Sequence, residues 1–273
     1  MIFYPNAKIN LGLHIVEKRA DGYHNIETVF YPVGWSDVLE VLPDDSRERG
    51  VTLTMSGVAI PGKMEDNLCV KAYELISRDY PMPAMKAHLH KQIPTGAGLG
   101  GGSSDAAFFI RALNEIFELN LAWGELHHYA KQLGADCSFF ITNKPVFAEG
   151  KGDQLESVAL SLKGYNICIV HPGIHLGTAE AYAGVQPQRP EISLEEIIAL
   201  PVAEWKSSLK NDFEKSVFAK HPAIAALKQQ LYDHGAEYAA MSGSGSAVFG
   251  IFRDGKTLPS FPGYACWSGA LNF

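Results

Sequence analysis

The sequence predicts an α+β fold of two domains, in which strands and helices are mixed rather than repeated as regular βαβ units. Residues 7–15 alternate between polar and apolar side chains, as a half-buried strand does. A glycine-rich run at residues 96–102 then joins a strand pattern to a helix pattern. At about 150 residues per domain, the 273 residues predict two domains, which we place at 1–150 and 151–273.

The first ninety residues read mostly as strands. In the strand at 7–15, one face carries apolar side chains and the other carries Lys8, Asn10, Gly12 and His14. A turn at 20–23 precedes a second strand at 25–33. The remaining elements predicted here are strands at 37–42, 51–56 and 85–93 and a helix at 67–79.

Two helices are predicted after the glycine run. Ser104 and Asp105 suit an N-cap and an acidic first turn, so the first helix is expected at 106–119. The second runs over 123–133 and ends at Gly134. The second domain is predicted to hold a strand at 165–170, helices at 194–198 and 224–234 and a strand pair within 238–251, its last strand either staying there or returning to the first domain.

Charge and composition exclude several classes of protein. The net charge of −7 argues against a protein that neutralises nucleic-acid phosphates or binds an anionic membrane surface. No apolar run is long enough to span a bilayer, and the start lacks the pattern of a secretory signal. The four cysteines form no CxxC pair, which favours free thiols in a reducing compartment. We therefore expect a cytoplasmic protein, a monomer or weak homodimer, without nucleic-acid or membrane partners.

The glycine run predicts a phosphate-binding loop. Of the 26 glycines, five lie within seven residues, where they allow positive φ and bring N–H groups close to a ligand. The helix that follows adds unpaired N–H donors and the positive end of its dipole. Gly96, Gly98 and Gly101 match a dinucleotide fingerprint by spacing, but the run comes too late in the chain for one. The P-loop pattern fails because no lysine follows the glycines.

Ordered motifs across nearly the whole chain resemble those of the GHMP kinases, the superfamily of galactokinase, homoserine kinase and mevalonate kinase. The phosphate loop of that family is similar to residues 94–107, which contain the GLGGGSSDAA run. Further matches are PNAKINL at 5–11, RADGYH at 19–24, GADCSFF at 134–140, NDFE at 211–214 and MSGSGS at 241–246. Two departures, Ser138 for proline and Phe213 for leucine, change no polar group that the chemistry needs.

The resemblance implies the two-domain GHMP kinase fold, with a ribosomal-protein-like N-terminal domain and a ferredoxin-like C-terminal domain. It implies ATP as the phosphate donor and Asp136 as the catalytic base, with Lys8 paired to it. Lys8 either keeps the carboxylate ionised and oriented or lowers the pKa of the substrate hydroxyl. The residues implied to bind ATP are Pro94, Thr95, Gly96, Ala97, Gly98, Leu99, Gly100, Gly101, Gly102, Ser103, Ser104 and, for adenine, Asn67.

Within the family, the motifs resemble the branch that phosphorylates the 2-hydroxyl of a diphosphocytidyl methylerythritol, in non-mevalonate isoprenoid precursor synthesis. Tyr23 and His24 would recognise the cytosine and Tyr182 would complete the stack, with Thr178 and Asn10 also at the substrate. The alternatives are another GHMP kinase acting on mevalonate, homoserine or a sugar, and a nucleic-acid-binding module on a ribosomal-protein-like fold. A dinucleotide oxidoreductase is a third, weaker one.

Magnesium is expected with ATP, because the transferring phosphoryl group needs charge neutralisation. The sequence shows no clear set of metal ligands, so the metal site stays unknown. Ser104 and Asp105 are the candidates.

Overall fold

The structure is a computed structural model that describes all 273 residues. Twelve strands form three four-stranded sheets. The strands are β1 Ile2–Phe3, β2 Asn6–Lys18, β3 His24–Ser36, β4 Val38–Pro43, β5 Val51–Gly57, β6 Met85–Lys91, β7 Val146–Glu149, β8 Gln154–Ser157, β9 Tyr165–His171, β10 Tyr238–Met241, β11 Val248–Arg253 and β12 Ala265–Ala270. The helices are α1 Leu68–Ile76, α2 Gly101–Ile116, α3 Trp123–Leu133, α4 Cys137–Thr142, α5 Thr178–Ala183, α6 Leu194–Ile198, α7 Trp205–Ser208, α8 Phe213–Lys220 and α9 Pro222–Asp233.

The chain forms two compact units, each made of separate segments. The first unit contains residues 1–7, 36–95 and 100–143, and the second contains residues 8–35, 96–99 and 144–273. A single division of the chain near residue 150 does not describe this grouping, because β2 and β3 belong to one sheet with the later strands β7 and β8. The division into domains at 150 stays a prediction.

In the first unit, a sheet of strand order β1-β4-β6-β5 packs against helices on one face. β4 runs antiparallel to β6, and β5 runs parallel to it, with α1 in the connection between β5 and β6. The inward side chains Leu39, Val41 and Leu89 are fully buried. α2 lies beside α1, α3 and α4, so its apolar face is covered by protein on several sides.

The second unit holds the other two sheets, of order β2-β3-β7-β8 and β10-β11-β9-β12. Its core joins side chains of β2, such as Leu13 and Ile15, to those of β9 to β11 and of α8 and α9. The last strand, β12, pairs antiparallel with β9. The predicted mixture of short strands and helices is therefore the observed architecture.

The main correction to the predicted elements concerns the start of α2. The helix begins at Gly101 and has Gly100 as its N-cap, rather than starting at 106 after Ser104. Gly100 adopts a left-handed φ of 73°, and Ser104 already donates its amide to the carbonyl of Gly100 over 2.9 Å. Glycine is a weak helix former, so the sequence pattern places the start of the helix too late.

Candidate active site

The glycine loop owes its shape to backbone conformations that glycine alone adopts readily. Gly96, Gly98 and Gly100 have φ values of 66°, 79° and 73°. A Cβ on Gly98 would lie 1.9 Å from the carbonyl oxygen of Ser242. The same serine donates its hydroxyl to the carbonyl of Gly98 over 2.8 Å, so the loop and the MSGSGS motif are held together by a direct bond.

Gly102 has no such structural reason to be a glycine. It is exposed, it lies in the first turn of α2, and a Cβ built on it would meet nothing within 4 Å. The neighbouring Gly101 differs, because its Cβ would lie 3.0 Å from the side chain of Ile93. First-turn N–H groups lack partners within their own helix, so the bare backbone at Gly102 is open to an anion.

Two further loop residues predicted to bind ATP are buried, and their carbonyls accept hydrogen bonds from other residues of the second unit. Ala97 and Leu99 are each 1% exposed, and their carbonyls accept the amides of Ala247 at 3.1 Å and of Lys8 at 2.9 Å. Pro94 is also buried, whereas Thr95 is exposed. These bonds fix the course of the loop, and they leave ligand contact to the exposed part of its backbone.

Lys8, on β2, is held in a buried polar cluster of the second unit. It is 4% exposed, its Nζ donates to Asn10 Oδ1 over 2.7 Å, and it lies 4.8 Å from the centre of the Phe30 ring. Asn10 in turn donates a hydrogen bond from its side-chain Nδ2 to Thr28 Oγ1 over 3.0 Å, and one from its backbone N–H to Ser242 Oγ over 3.3 Å. The cluster fixes the ammonium group of Lys8 in one place.

Asp136 belongs to the first unit and lies directly before α4. It is half-buried, at the end of the short turn that follows α3. Behind it, Phe139 and Phe140 are fully buried and pack edge to face, which anchors α4. The short helix was not predicted, since six residues are too few to show a helical period.

The predicted cytosine-binding residues include a stacked aromatic pair. The rings of His24 and Tyr182 have centroids 4.7 Å apart and planes inclined by 20°. Tyr182 is backed by Phe213, whose ring meets it edge-on at 4.8 Å. Burial lowers the pKa of His24, and the nearby Lys18 lowers it further, so the neutral imidazole is favoured. Thr178, the first residue of α5, is exposed on the same helix as Tyr182.

Tyr23 lies apart from this pair. Its side chain is 61% exposed, and Lys151 Nζ lies 4.9 Å from the centre of its ring. The turn that carries it is fixed by Asp21, which accepts the amide of Tyr23 over 3.1 Å. The structure therefore places His24, rather than Tyr23, against Tyr182.

At the predicted adenine segment, Asn67 caps α1. Its Oδ1 accepts the amide of Cys69 over 2.9 Å, and its Nδ2 lies 3.5 Å from the sulfur of Met55. Both ends of the carboxamide thus contact residues of the first unit, and the Asn67 side chain is half-exposed.

A buried charge cluster beneath α2 was missed by the sequence analysis. Lys91 Nζ bonds to Asp37 and, over 2.7 Å, to Asp105, and all three side chains are at most 3% exposed. Asp37 also accepts the amides of Gln92 and Ile93, at 2.6 and 2.9 Å. Burial raises the pKa of Asp105 to about 7, against the opposing effect of Lys91. The sequence does contain a sign of it, because Lys91 lies on the apolar face of β6, in which buried and exposed side chains alternate.

The cluster bears on the two metal-ligand candidates. Asp105 uses one carboxylate oxygen for Lys91, and its other oxygen is buried without a partner. Ser104 is fully buried, and its hydroxyl has no hydrogen-bond partner. The structure contains no group of three or more His, Cys, Asp or Glu side chains able to hold a metal ion.

Comparison with known proteins identifies the family. The model of the GHMP kinase N-terminal domain matches residues 67–144, and that of the GHMP kinase C-terminal domain matches residues 193–260. This chain belongs to the GHMP kinases. It is thus an ATP-dependent small-molecule kinase with the two-domain fold of that family.

Individual relatives of this GHMP kinase are similar over nearly their full length. It is 54% identical to the 4-diphosphocytidyl-2-C-methyl-D-erythritol kinase of Bacteroides thetaiotaomicron, over 95% of this chain and 94% of that one. It is 50% identical to the enzyme of the same name from Parabacteroides distasonis, over 100% of both chains. A crystal structure of 4-(cytidine 5'-diphospho)-2C-methyl-D-erythritol kinase matches with a TM-score of 0.81 and 29% identity, over 100% of both chains.

None of the helices in this GHMP kinase has both the length and the apolar character needed to cross a membrane. The alternative of a nucleic-acid-binding module is not favoured by any of these similarities.

Proposed function

We propose that this GHMP kinase transfers the γ-phosphoryl group of ATP to the 2-hydroxyl of 4-diphosphocytidyl-2-C-methyl-D-erythritol, giving the 2-phosphate and ADP. The observation that carries the proposal is the stack of His24 on Tyr182, because a substrate with a nucleobase needs aromatic faces and mevalonate, homoserine or a sugar does not. The relatives named for this reaction, at 50 and 54% identity, support it.

In the proposed reaction, the oxygen of the substrate 2-hydroxyl attacks the γ-phosphorus of ATP while Asp136 accepts the hydroxyl proton. The bond between the γ-phosphorus and the bridging oxygen breaks, and ADP leaves. The assignment of the base rests on the family motif at residues 134–140. Lys8, fixed by Asn10, supplies the positive charge that this motif pairs with the base. Phosphate oxygens of ATP are bound by N–H groups of the glycine loop and of the first turn of α2.

Magnesium would neutralise charge on the phosphates of ATP. Such ions keep several waters and use few protein ligands besides the phosphates, so a cluster of three side chains is not needed. Of the two candidates, the unpartnered hydroxyl of Ser104 fits a metal-bound group better than Asp105, which is occupied by Lys91. We also propose that the protein is cytoplasmic, that it has no nucleic-acid partner, and that it is a monomer or a weak homodimer.

An ATP-consumption assay over a panel of alcohols tests the proposal. We expect turnover with the diphosphocytidyl alcohol and at most background turnover with mevalonate, homoserine and galactose. Turnover with one of those three, and none with the cytidyl compound, would assign this chain to another branch of the family.

A further inference from the structure

A large cleft in the second unit is lined by residues that have no assigned part in the kinase reaction. Its volume is about 1020 Å³, which is at the upper end of the range for small-molecule sites. It is lined by the end of β2, by residues 184–192 and by the segment around Asn211. None of the residues proposed to bind ATP, the substrate or the transferred group lines it.

Most polar groups on the floor of the cleft are already engaged. Asn211 donates its Nδ2 to the carbonyls of Met241 and Gly243, both over 2.8 Å, and accepts the amide of Phe213. Glu214 is bonded to Lys228 over 2.6 Å and to the amide of Met241. These groups have little capacity left for a ligand.

His14 is the exception. Its side chain is 9% exposed, its Nδ1 lies 3.5 Å from Asp212 Oδ1, and its Nε2 is buried without any hydrogen-bond partner. Asp212 is kept in place by the amide of Ile15, which it accepts over 2.8 Å. A carboxylate beside Nδ1 favours the tautomer with its proton there, which leaves Nε2 as an acceptor for a ligand hydroxyl. Nε2 is closed to solvent, so a ligand hydroxyl reaches it, and satisfies the orphaned atom, only when the side chains that cover it move.

The mouth of the cleft carries an excess of unpaired positive charge. Arg189, Lys210 and Lys215 are exposed, line the cleft and pair with no carboxylate of this chain. Glu191 is the one acidic side chain of the lining without a cationic or histidine partner. Asp212 faces only the neutral His14 and keeps its charge, whereas Glu214 is neutralised by Lys228. Three cations therefore stand against two carboxylates, an excess of one positive charge, and Arg and Lys are the usual partners of phosphate.

From these observations we propose that the cleft binds a small phosphorylated polyol, with its phosphate at Arg189, Lys210 and Lys215 and a hydroxyl donating to His14 Nε2. This cleft shares no lining residue with the proposed active site. It is nevertheless two hydrogen-bonded steps from the glycine loop, since Asn211 binds Gly243 and the adjacent Ser242 binds Gly98.

The test is a binding titration of the full chain with three probes: glycerol 3-phosphate, inorganic phosphate and glycerol. A non-hydrolysable ATP analogue and cytidine diphosphate are kept at saturation, so that the proposed active site is filled. We expect saturable binding of glycerol 3-phosphate, weaker binding of inorganic phosphate and none of glycerol. The absence of saturable binding of either phosphate up to about 10 mM would overturn the proposal.

Variants test the phosphate contact and the hydroxyl contact separately. Lys210→Met with Lys215→Met should weaken both phosphate probes at least about tenfold, since each loses a charged partner. His14→Phe should weaken glycerol 3-phosphate about fivefold and leave inorganic phosphate unchanged, because only the polyol donates to Nε2. Lys163→Met, an exposed lysine outside the cleft, is the matched control. Equal losses in the control and the cleft variants would overturn the proposal.

A spectroscopic readout covers the case in which His14→Phe fails to fold. In the wild-type chain with ¹⁵N-labelled histidine, glycerol 3-phosphate should shift the Nε2 resonance of His14 and leave that of His234, outside the cleft, unchanged. An unmoved Nε2 signal at saturating probe would contradict the hydroxyl contact.

Discussion

The imidazole of His24 lies flat against the phenol of Tyr182, with centroids 4.7 Å apart. Rings at this separation leave no room for a third ring between them, so a cytosine must either replace His24 on Tyr182 or stack on the outer face of the pair. In the first arrangement the base lies on the Tyr182 ring, which Phe213 keeps in position, and this is the arrangement that we propose.

The first prediction concerns the Tyr182 ring. Tyr182→Ala should raise KM for the cytidyl substrate by about tenfold or more, since stacking of one base on an aromatic ring contributes roughly 1–3 kcal/mol. KM for ATP should be unchanged. Tyr182→Phe, which keeps the ring, is the control and should behave like the wild type in steady-state kinetics. Equal KM values for all three proteins would remove Tyr182 from the substrate site.

A second prediction follows from the open space at Gly102. Gly102→Ala should fold at least as stably as the wild type, because alanine is favoured in a helix by about 1 kcal/mol. KM for ATP should nevertheless rise severalfold, since the methyl group would stand where a phosphate approaches the backbone. Gly124→Ala, in α3, is the matched control, because its Cβ also meets nothing within 4 Å. If both variants keep the wild-type KM, the phosphate contact at Gly102 is wrong.

The third prediction tests the base. Asp136→Asn should retain the wild-type melting temperature and lose about 10²- to 10⁴-fold in kcat, the usual contribution of a general base. Asp45→Asn, an exposed aspartate without a hydrogen-bond partner, is the control and should keep full activity. A kcat for Asp136→Asn within about twofold of the wild type would refute the role of Asp136.

The fourth prediction concerns the buried cluster of Lys91, Asp37 and Asp105. Lys91→Met should lower the free energy of unfolding by about 3–5 kcal/mol, because the buried carboxylate of Asp37 would lose its cation. Urea denaturation followed by circular dichroism measures this. A loss below about 1 kcal/mol would mean that the cluster contributes little to stability.

The same cluster sets a pH dependence. Burial raises the folded-state pKa of Asp105 to about 7, above its value in the unfolded chain, so the folded state holds the proton more tightly. The contribution of Asp105 to stability is then full below about pH 4 and is lost as the pH rises towards 7. In Asp105→Asn this loss should disappear, so the variant should gain stability relative to the wild type between pH 5 and pH 8. A difference that does not change with pH would contradict the raised pKa.

The sequence was sufficient where a side-chain pattern repeats over several residues. The alternation at 7–15 lies within β2, and the helix predicted at 123–133 has the bounds of α3. The helices α4, α5, α7 and α8 were not predicted, since they have at most eight residues and show little periodicity, although the equally short α6 was predicted at 194–198. The start of α2 was predicted about one turn too late, because Gly101 and Gly102 form helix only with the support of tertiary packing.

The site was predictable as a set of motifs but not as a geometry. The positive φ of Gly98 could be expected from the residue type, whereas its contact with Ser242 joins positions 144 residues apart. Likewise, the motifs singled out His24 and Tyr182, but only the folded chain shows that their rings stack. The buried cluster around Lys91 was not predicted, because the position of Lys91 on an apolar strand face does not reveal that Asp37 and Asp105 are its partners.

The most direct test of the proposed function is to identify the phosphorylated product. The full chain is incubated with ATP and 4-diphosphocytidyl-2-C-methyl-D-erythritol, and the product is analysed by ³¹P and ¹³C NMR spectroscopy. We predict a new phosphomonoester signal with phosphorus coupling to C2 of the methylerythritol, formed in equal amount to ADP. A phosphate on another hydroxyl, or ADP formation without any new phosphomonoester, would contradict the assignment.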